Sequence, residues 1–272
     1  MRTPDLHAIA ARLAAVPGVV AVALGGSRAR GTHRPDSDID LGLYYRGDLD
    51  VAGLRALARE VTGEETDVTE PGGWGPWVDG GGWLTIDGWR VDWIYRDLDR
   101  VHRVWHDCRA GRYEIGVQAG HPLGFYSHAY AGEVALCQVL ADPAGELTAL
   151  REATAQYPPA LRDALVAGLW ESDFALTTAR YGAAGNDPVY VAGALFRAIG
   201  VACHALHAAD GAWLINEKGM VAAAGRLPSA PETFGERAQA LLAGVGSAPE
   251  EITRTIDTAA ELLAEVRTAC GA

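Results

Sequence analysis

Two aspartates separated by one residue, Asp38 and Asp40, follow a Gly26-Ser27 turn in the segment LGGSRARGTHRPDSDIDLGLYY, residues 24–45. Side chains alternate along a strand, so Asp38 and Asp40 share one face while Ile39 and Leu41 point into a core. Two carboxylates on one face repel unless a cation sits between them. Mg²⁺ suits the place, being oxygen-seeking and held by one or two carboxylates together with substrate phosphates. Gly26 and Ser27 stand where backbone N–H groups and a hydroxyl can hold phosphate oxygens. A phosphate cradle beside metal-binding carboxylates is the equipment of nucleotidyl transfer.

Competing chemistries fail on single positions. Asp36, Asp38 and Asp40 alternate as in a calcium loop, but Leu41 stands at the sixth position and Gly47 at the twelfth, where Gly and Glu are needed. Ser27 lacks the second glycine of an esterase elbow, because Ala29 stands there. No Gly-Lys-Ser/Thr phosphate loop is present. His102 and His106, and the cluster Cys203, His204 and His207, supply no four-ligand zinc set and read as core or surface histidines. Arg28 and Arg30 are open to two readings, phosphate contacts or solvated arginines. Glu133, in the apolar run Gly132–Leu136, is either a buried functional acid or a residue on the wet face of a strand. The tryptophans at 74–93 are core residues or stacking surfaces for a base or substrate.

The elements that must position these residues change period often in the first half. Leu6, Ile9, Leu13 and Val16 predict an amphipathic helix, and Val19–Leu24 a buried strand. Residues 25–31 read as a turn, residues 38–45 as a strand and residues 51–61 as a helix. Residues 71–82 form a rigid loop rich in Gly, Pro and Trp, and Asp87-Gly88 marks a two-residue hairpin between strands at 83–86 and 89–95. This mixture predicts an α/β (α+β) domain with a mixed sheet over residues 1–145. From residue 146 to 272 the chain turns rich in Ala and Leu and predicts an all-α helical bundle. Asp187-Pro188 starts one of its helices, and a capping box at Ser247-Ala248-Pro249-Glu250 starts the last.

The chain has 272 residues, 49% hydrophobic and 21% charged, enough for two domains with real cores. No apolar run is expected to span a membrane. The N-terminus reads as a helix rather than a signal peptide, and the four scattered cysteines build no disulfide framework, which together point to the cytoplasm. A net charge of −12 disfavours a nucleic-acid partner and is compatible with a cationic small molecule. Lys218 is the only lysine among 23 basic residues, so its position is worth testing.

Over about its first hundred residues the sequence resembles the nucleotidyltransferase superfamily related to DNA polymerase β, through Gly26-Ser27 followed by Asp38-Ile39-Asp40-Leu41. The resemblance implies that Asp38 and Asp40 bind Mg²⁺, and that Asp92, in Arg90-Val91-Asp92-Trp93, is the third carboxylate. Size and a helical second half are most similar to bacterial antibiotic nucleotidyltransferases, especially aminoglycoside adenylyltransferases. That likeness implies ATP as co-substrate, two Mg²⁺ ions, and a hydroxyl of a small cationic molecule as acceptor, with pyrophosphate released. It further implies that Asp92 is the catalytic base; the residues themselves leave Glu133 open as a rival acid. Gly26, Ser27 and Arg30 would bind the nucleotide, and Lys218 would reach its triphosphate across a cleft between the domains; the bland reading of Lys218 is a surface residue. Trp74, Trp77 and Gly80–Gly82 have no counterpart in the resemblance. Other acceptors are a protein or tRNA, as in toxin–antitoxin nucleotidyltransferases. A catalytically silent nucleotide-binding regulator would be marked by a lost carboxylate, and none is lost. A monomer and a homodimer are both compatible with the sequence.

Overall fold

The computed structural model describes residues 4–272. Its contacts divide the described residues into two units, one of residues 4–107, 114–120 and 124–156, the other of residues 108–113, 121–123 and 157–272. In chain order the first elements are α1 (Leu6–Ala14), β1 (Val19–Leu24), α2 (Gly26–Ala29), β2 (Ile39–Tyr45), α3 (Val51–Thr62), β3 (Gly81–Ile86) and β4 (Trp89–Asp97). There follow α4 (Leu98–Arg109), a short ribbon of β5 (Ile115–Gly116) and β6 (Phe125–Tyr126), α5 (Ala129–Leu136), β7 (Gln138–Ala141) and α6 (Glu146–Thr154).

The sheet of the first unit runs β3-β4-β2-β1-β7. β2 and β4 are parallel, joined by a crossover through α3, and the other pairs are antiparallel, so the sheet is mixed. One face is apolar: Ile39, Leu41 and Leu43 of β2, Val91, Trp93 and Tyr95 of β4, and Leu84 and Ile86 of β3 are buried with Leu13 of α1 and Leu54 of α3. Alternation then puts Asp40, Gly42, Tyr44, Asp92, Ile94, Arg96 and Trp83 on the opposite face. Both helices on the apolar side start at side-chain caps. Asp5 accepts from the Ala8 N–H and Asp50 from the Gly53 N–H, while Gly63 in the left-handed region ends α3.

The hairpin expected at Asp87-Gly88 is present, with both residues at positive φ (51° and 79°), the twist a two-residue turn needs. The Gly-, Pro- and Trp-rich loop is pinned along its length. Gln118 is buried, accepts from the N–H groups of Trp77 and Val78, and donates to the Trp74 carbonyl. Asp79 accepts from the Tyr45 hydroxyl and the Gly72 N–H. Residues 25–31 depart from the expected plain turn: they hold the single helical turn α2.

The second unit is helical: α7 (Pro159–Ala167), α8 (Trp170–Ala184), α9 (Pro188–Ala209), α10 (Met220–Ala224), α11 (Phe234–Ala243) and α12 (Pro249–Cys270). All the others pack on α9. With a mean hydropathy of 1.6 over its apolar stretch, α9 is long and apolar enough to cross a membrane, contrary to the sequence expectation. Its apolar residues serve as this unit's core, from Val191 and Leu195 to Leu206. His204 and His207 are buried on it, and His207 Nδ1 bonds the Cys203 carbonyl, consistent with histidines of a core. Asp187 caps α9 as read, accepting from the Tyr190 N–H, with Pro188 at the first helical position.

The start of α12 corrects the sequence reading. The cap residue is Ala248 rather than Ser247, and Glu251 rather than Glu250 reaches back. Its carboxylate accepts from the N–H groups of Ser247 and Ala248, and these bonds hold its pKa below the ordinary value. Proline fits the first helical position, so Pro249 moves the cap one residue later than Ser247.

Candidate active site

β1 delivers the chain to Gly25 and Gly26 beside the start of β2, and the Gly25 N–H donates to the Asp40 carbonyl at 2.8 Å. Gly26 has φ +60°, and a Cβ there would overlap Asp40 Oδ2. Only glycine allows this approach, so the turn and the Asp40 carboxylate are packed as one piece. We expect Gly26→Ala to displace Asp40 and to weaken metal-dependent nucleotide binding about ten-fold or more, while most of the fold survives because strain of this kind costs only about 1–3 kcal/mol. Calorimetric titration together with a thermal melt checks both halves of that expectation.

Across the parallel pair, Asp40 and Asp92 are direct Cα partners. Across the next, antiparallel pair, Asp92 is the partner of Trp83. One row on the non-core face therefore reads Asp40, Asp92, Trp83, with Gly26 and Ser27 at its β1 end. Ser27 is half-buried in the single turn of α2.

Asp38, one residue ahead of β2, is turned to Arg90: Arg90 Nε stands 2.5 Å from Asp38 Oδ1. The approach is not aligned as a hydrogen bond, and that oxygen is buried with no hydrogen-bond partner. Among the described residues no three acidic, imidazole or thiol groups converge into a closed metal cage. Mg²⁺ does not need one, since one or two carboxylates and substrate phosphates suffice. Asp40 and Asp92 side by side fit that mode, and the unbonded oxygen of Asp38 is a further donor once Arg90 gives way. An exposed arginine–carboxylate pair is worth only about 0–1 kcal/mol, so giving way is cheap.

Arg28 is engaged in structure. Its guanidinium donates to the carbonyls of Ser37 and Asp38 at 2.7–3.1 Å and lies over the Trp89 ring. It thereby fixes the loop that leads into β2. Arg30 is exposed and donates to the Gly26 carbonyl at 3.1 Å. Lys218 is exposed in a turn of the second unit, where its N–H donates to Asn216 Oδ1.

Glu133 corrects both sequence readings. It lies on helix α5 rather than a strand, and it is the partner of buried Arg96, with Nε–Oε2 at 2.5 Å and Nη2–Oε1 at 2.7 Å. A carboxylate held by both oxygens in a bidentate pair is not poised to take a proton from an acceptor. Burial alone would lower the Arg96 pKa, but the charge and hydrogen bonds of Glu133 reverse this and raise it. Burial pushes the neighbouring Tyr44 phenol well above its ordinary value and the Cys137 thiol up to about 11, so neither ionises near neutrality. Arg90 is the residue beside the site that the sequence reading missed; Trp83 stood among the tryptophans read as core or as stacking surfaces, and the hairpin register signalled at Asp87-Gly88 is what pairs it with Asp92.

Residues 8–71 match the model of the nucleotidyltransferase domain family. The match covers Gly26, Ser27, Asp38 and Asp40 and ends before β3, so Asp92 and Trp83 lie beyond it. The fold at the N-terminus is thus a nucleotidyltransferase fold. Among solved structures, the chain is similar to a nucleotidyltransferase-like protein from Exiguobacterium sibiricum, with 13% identity and a TM-score of 0.47, over 94% of this chain and 72% of that one. No curated protein matches the chain.

Proposed function

We propose that the protein transfers AMP from ATP to a hydroxyl of a small cationic molecule and releases pyrophosphate. The observation that carries this reading is the pairing of Asp40 with Asp92 on parallel strands, against a Gly26-Ser27 turn where a Cβ on Gly26 would overlap the Asp40 carboxylate. Asp40 and Asp92, with Asp38, would hold Mg²⁺, which would neutralise charge building on the phosphoryl oxygens. Gly26 and Ser27 face the phosphates, and Asp92 takes the proton of the acceptor hydroxyl. The new bond joins the acceptor oxygen to the α-phosphorus, the bond from that phosphorus to the bridging oxygen breaks, and pyrophosphate leaves with the electron pair. A cationic acceptor is supported by the net charge of −12.

The test incubates the protein with ATP labelled in its α-phosphate, Mg²⁺ and a panel of amino-sugar, neutral-sugar and peptide acceptors. Label is expected on an amino-sugar and absent when EDTA removes the metal. Because attraction between exposed charges is screened over about 8 Å at physiological ionic strength, the acceptor KM should rise steeply with salt. Label on peptide alone, or a salt-independent KM for a neutral sugar, contradicts the proposed acceptor.

A further inference from the structure

Trp83 is 69% exposed, whereas Trp93 on the adjacent strand is fully buried. One lone exposed aromatic is ordinary on a protein surface. This one is built in. Its indole stacks on Trp74 with centroids 4.6 Å apart and planes 14° from parallel. Trp74 is held by the loop that Gln118 pins, and it closes over Gly81, where a Cβ would overlap the Trp93 carbonyl and meet Trp74 Cη2 at 3.1 Å. The stack leaves the remaining surface of Trp83 open to solvent, directly beside Asp92 in the cross-strand row.

The order of strands says what that surface is for. Along the row, the phosphate-facing turn follows β1, the carboxylates stand on β2 and β4, and Trp83 is on β3. In-line displacement places the entering oxygen opposite the leaving one. With the triphosphate at the β1 end, the acceptor must enter from the β3 end. Cross-strand partners lie about 4.5–5.5 Å apart, so a ring seated on Trp83 can bring a hydroxyl to Asp92. Carboxylates beside the negative face of an indole favour a ring that carries positive charge.

Resting on the nucleotidyl-transfer reading, we propose that Trp83, backed by Trp74, is the acceptor platform and takes the ring of an amino- or guanidino-substituted polyol. The platform determines which acceptor binds; it does no chemistry on the nucleotide.

Calorimetric titration of streptomycin, spectinomycin and Mg·ATP into the wild type, Trp83→Ala, Trp83→Phe and Thr85→Ala tests this. Thr85 is an exposed residue on the same face of β3, outside the row, and controls for general disturbance of the strand. At least one of the two amino-polyols is expected to bind the wild type. Trp83→Ala should weaken it about ten-fold or more, Trp83→Phe should recover part of the loss, and Thr85→Ala should change nothing, as a desolvated cation–aromatic contact predicts. Mg·ATP affinity should be the same in all four proteins. Equal amino-polyol affinity in Trp83→Ala and wild type, or binding of neither compound, overturns the platform while an intact Mg·ATP arm leaves the nucleotide reading standing. Loss of Mg·ATP affinity in Trp83→Ala also overturns it, by making the indole a base platform. Failure of the wild type to bind Mg·ATP overturns the nucleotide reading and the platform with it.

Discussion

Asp40→Asn should abolish the proposed nucleotidyl transfer, with kcat falling by at least about 10³-fold, because the variant keeps the shape of the side chain and loses the charge that would hold the metal. Asp92→Asn should fall as far, since on the proposed reading it removes both a metal donor and the proton acceptor. Neither change should cost much stability. Both carboxylates stand on the non-core face of the sheet and are only half-buried. The check is turnover by pyrophosphate release alongside thermal melts. Wild-type turnover in either variant contradicts the site; lost turnover with a collapsed melt makes these acids structural.

The second large effect is on the fold. Arg96→Met leaves the Glu133 carboxylate without its bidentate partner, and breaking a buried pair in this way costs about 3–5 kcal/mol. At roughly 2–4 °C per kcal/mol for a unit of this size, the melt should drop by about 6 °C or more. The double change Arg96→Met with Glu133→Leu should recover much of the loss, because it removes the stranded charge as well. Arg96 lies four residue steps along β4 from Asp92, about 13 Å, so turnover per folded molecule should survive in the double variant. A melt unchanged in Arg96→Met would show that the pair is solvated and carries no load.

What was legible in the sequence was what local chemistry decides. Gly26-Ser27 and Asp38-Ile39-Asp40 announce a turn leading into a strand because a turn and an alternating strand are short-range patterns. Asp87-Gly88 is legible for the same reason, since two positive φ angles demand those residue types. Long-range pairing was not legible. Nothing near Glu133 says that Arg96, on another element, neutralises it, and Gly132–Leu136 is too short an apolar run to separate helix from strand. Asp40, Asp92 and Trp83 meet in one row only through the register of three strands, two of them joined by a crossover. Arg90 escaped notice because a metal reading of Asp38 leaves no reason to look for an arginine beside it.

The most direct measurement is the affinity of ATP for the wild type and for Asp40→Asn, each titrated by calorimetry with Mg²⁺ and again with EDTA. If Asp40 and Asp92 form a metal–nucleotide site, wild type should bind ATP at least about 30-fold more tightly with Mg²⁺, near 2 kcal/mol, and Asp40→Asn should erase the difference. ATP affinity that is the same with and without Mg²⁺, or a Mg²⁺ effect untouched by Asp40→Asn, would contradict the account.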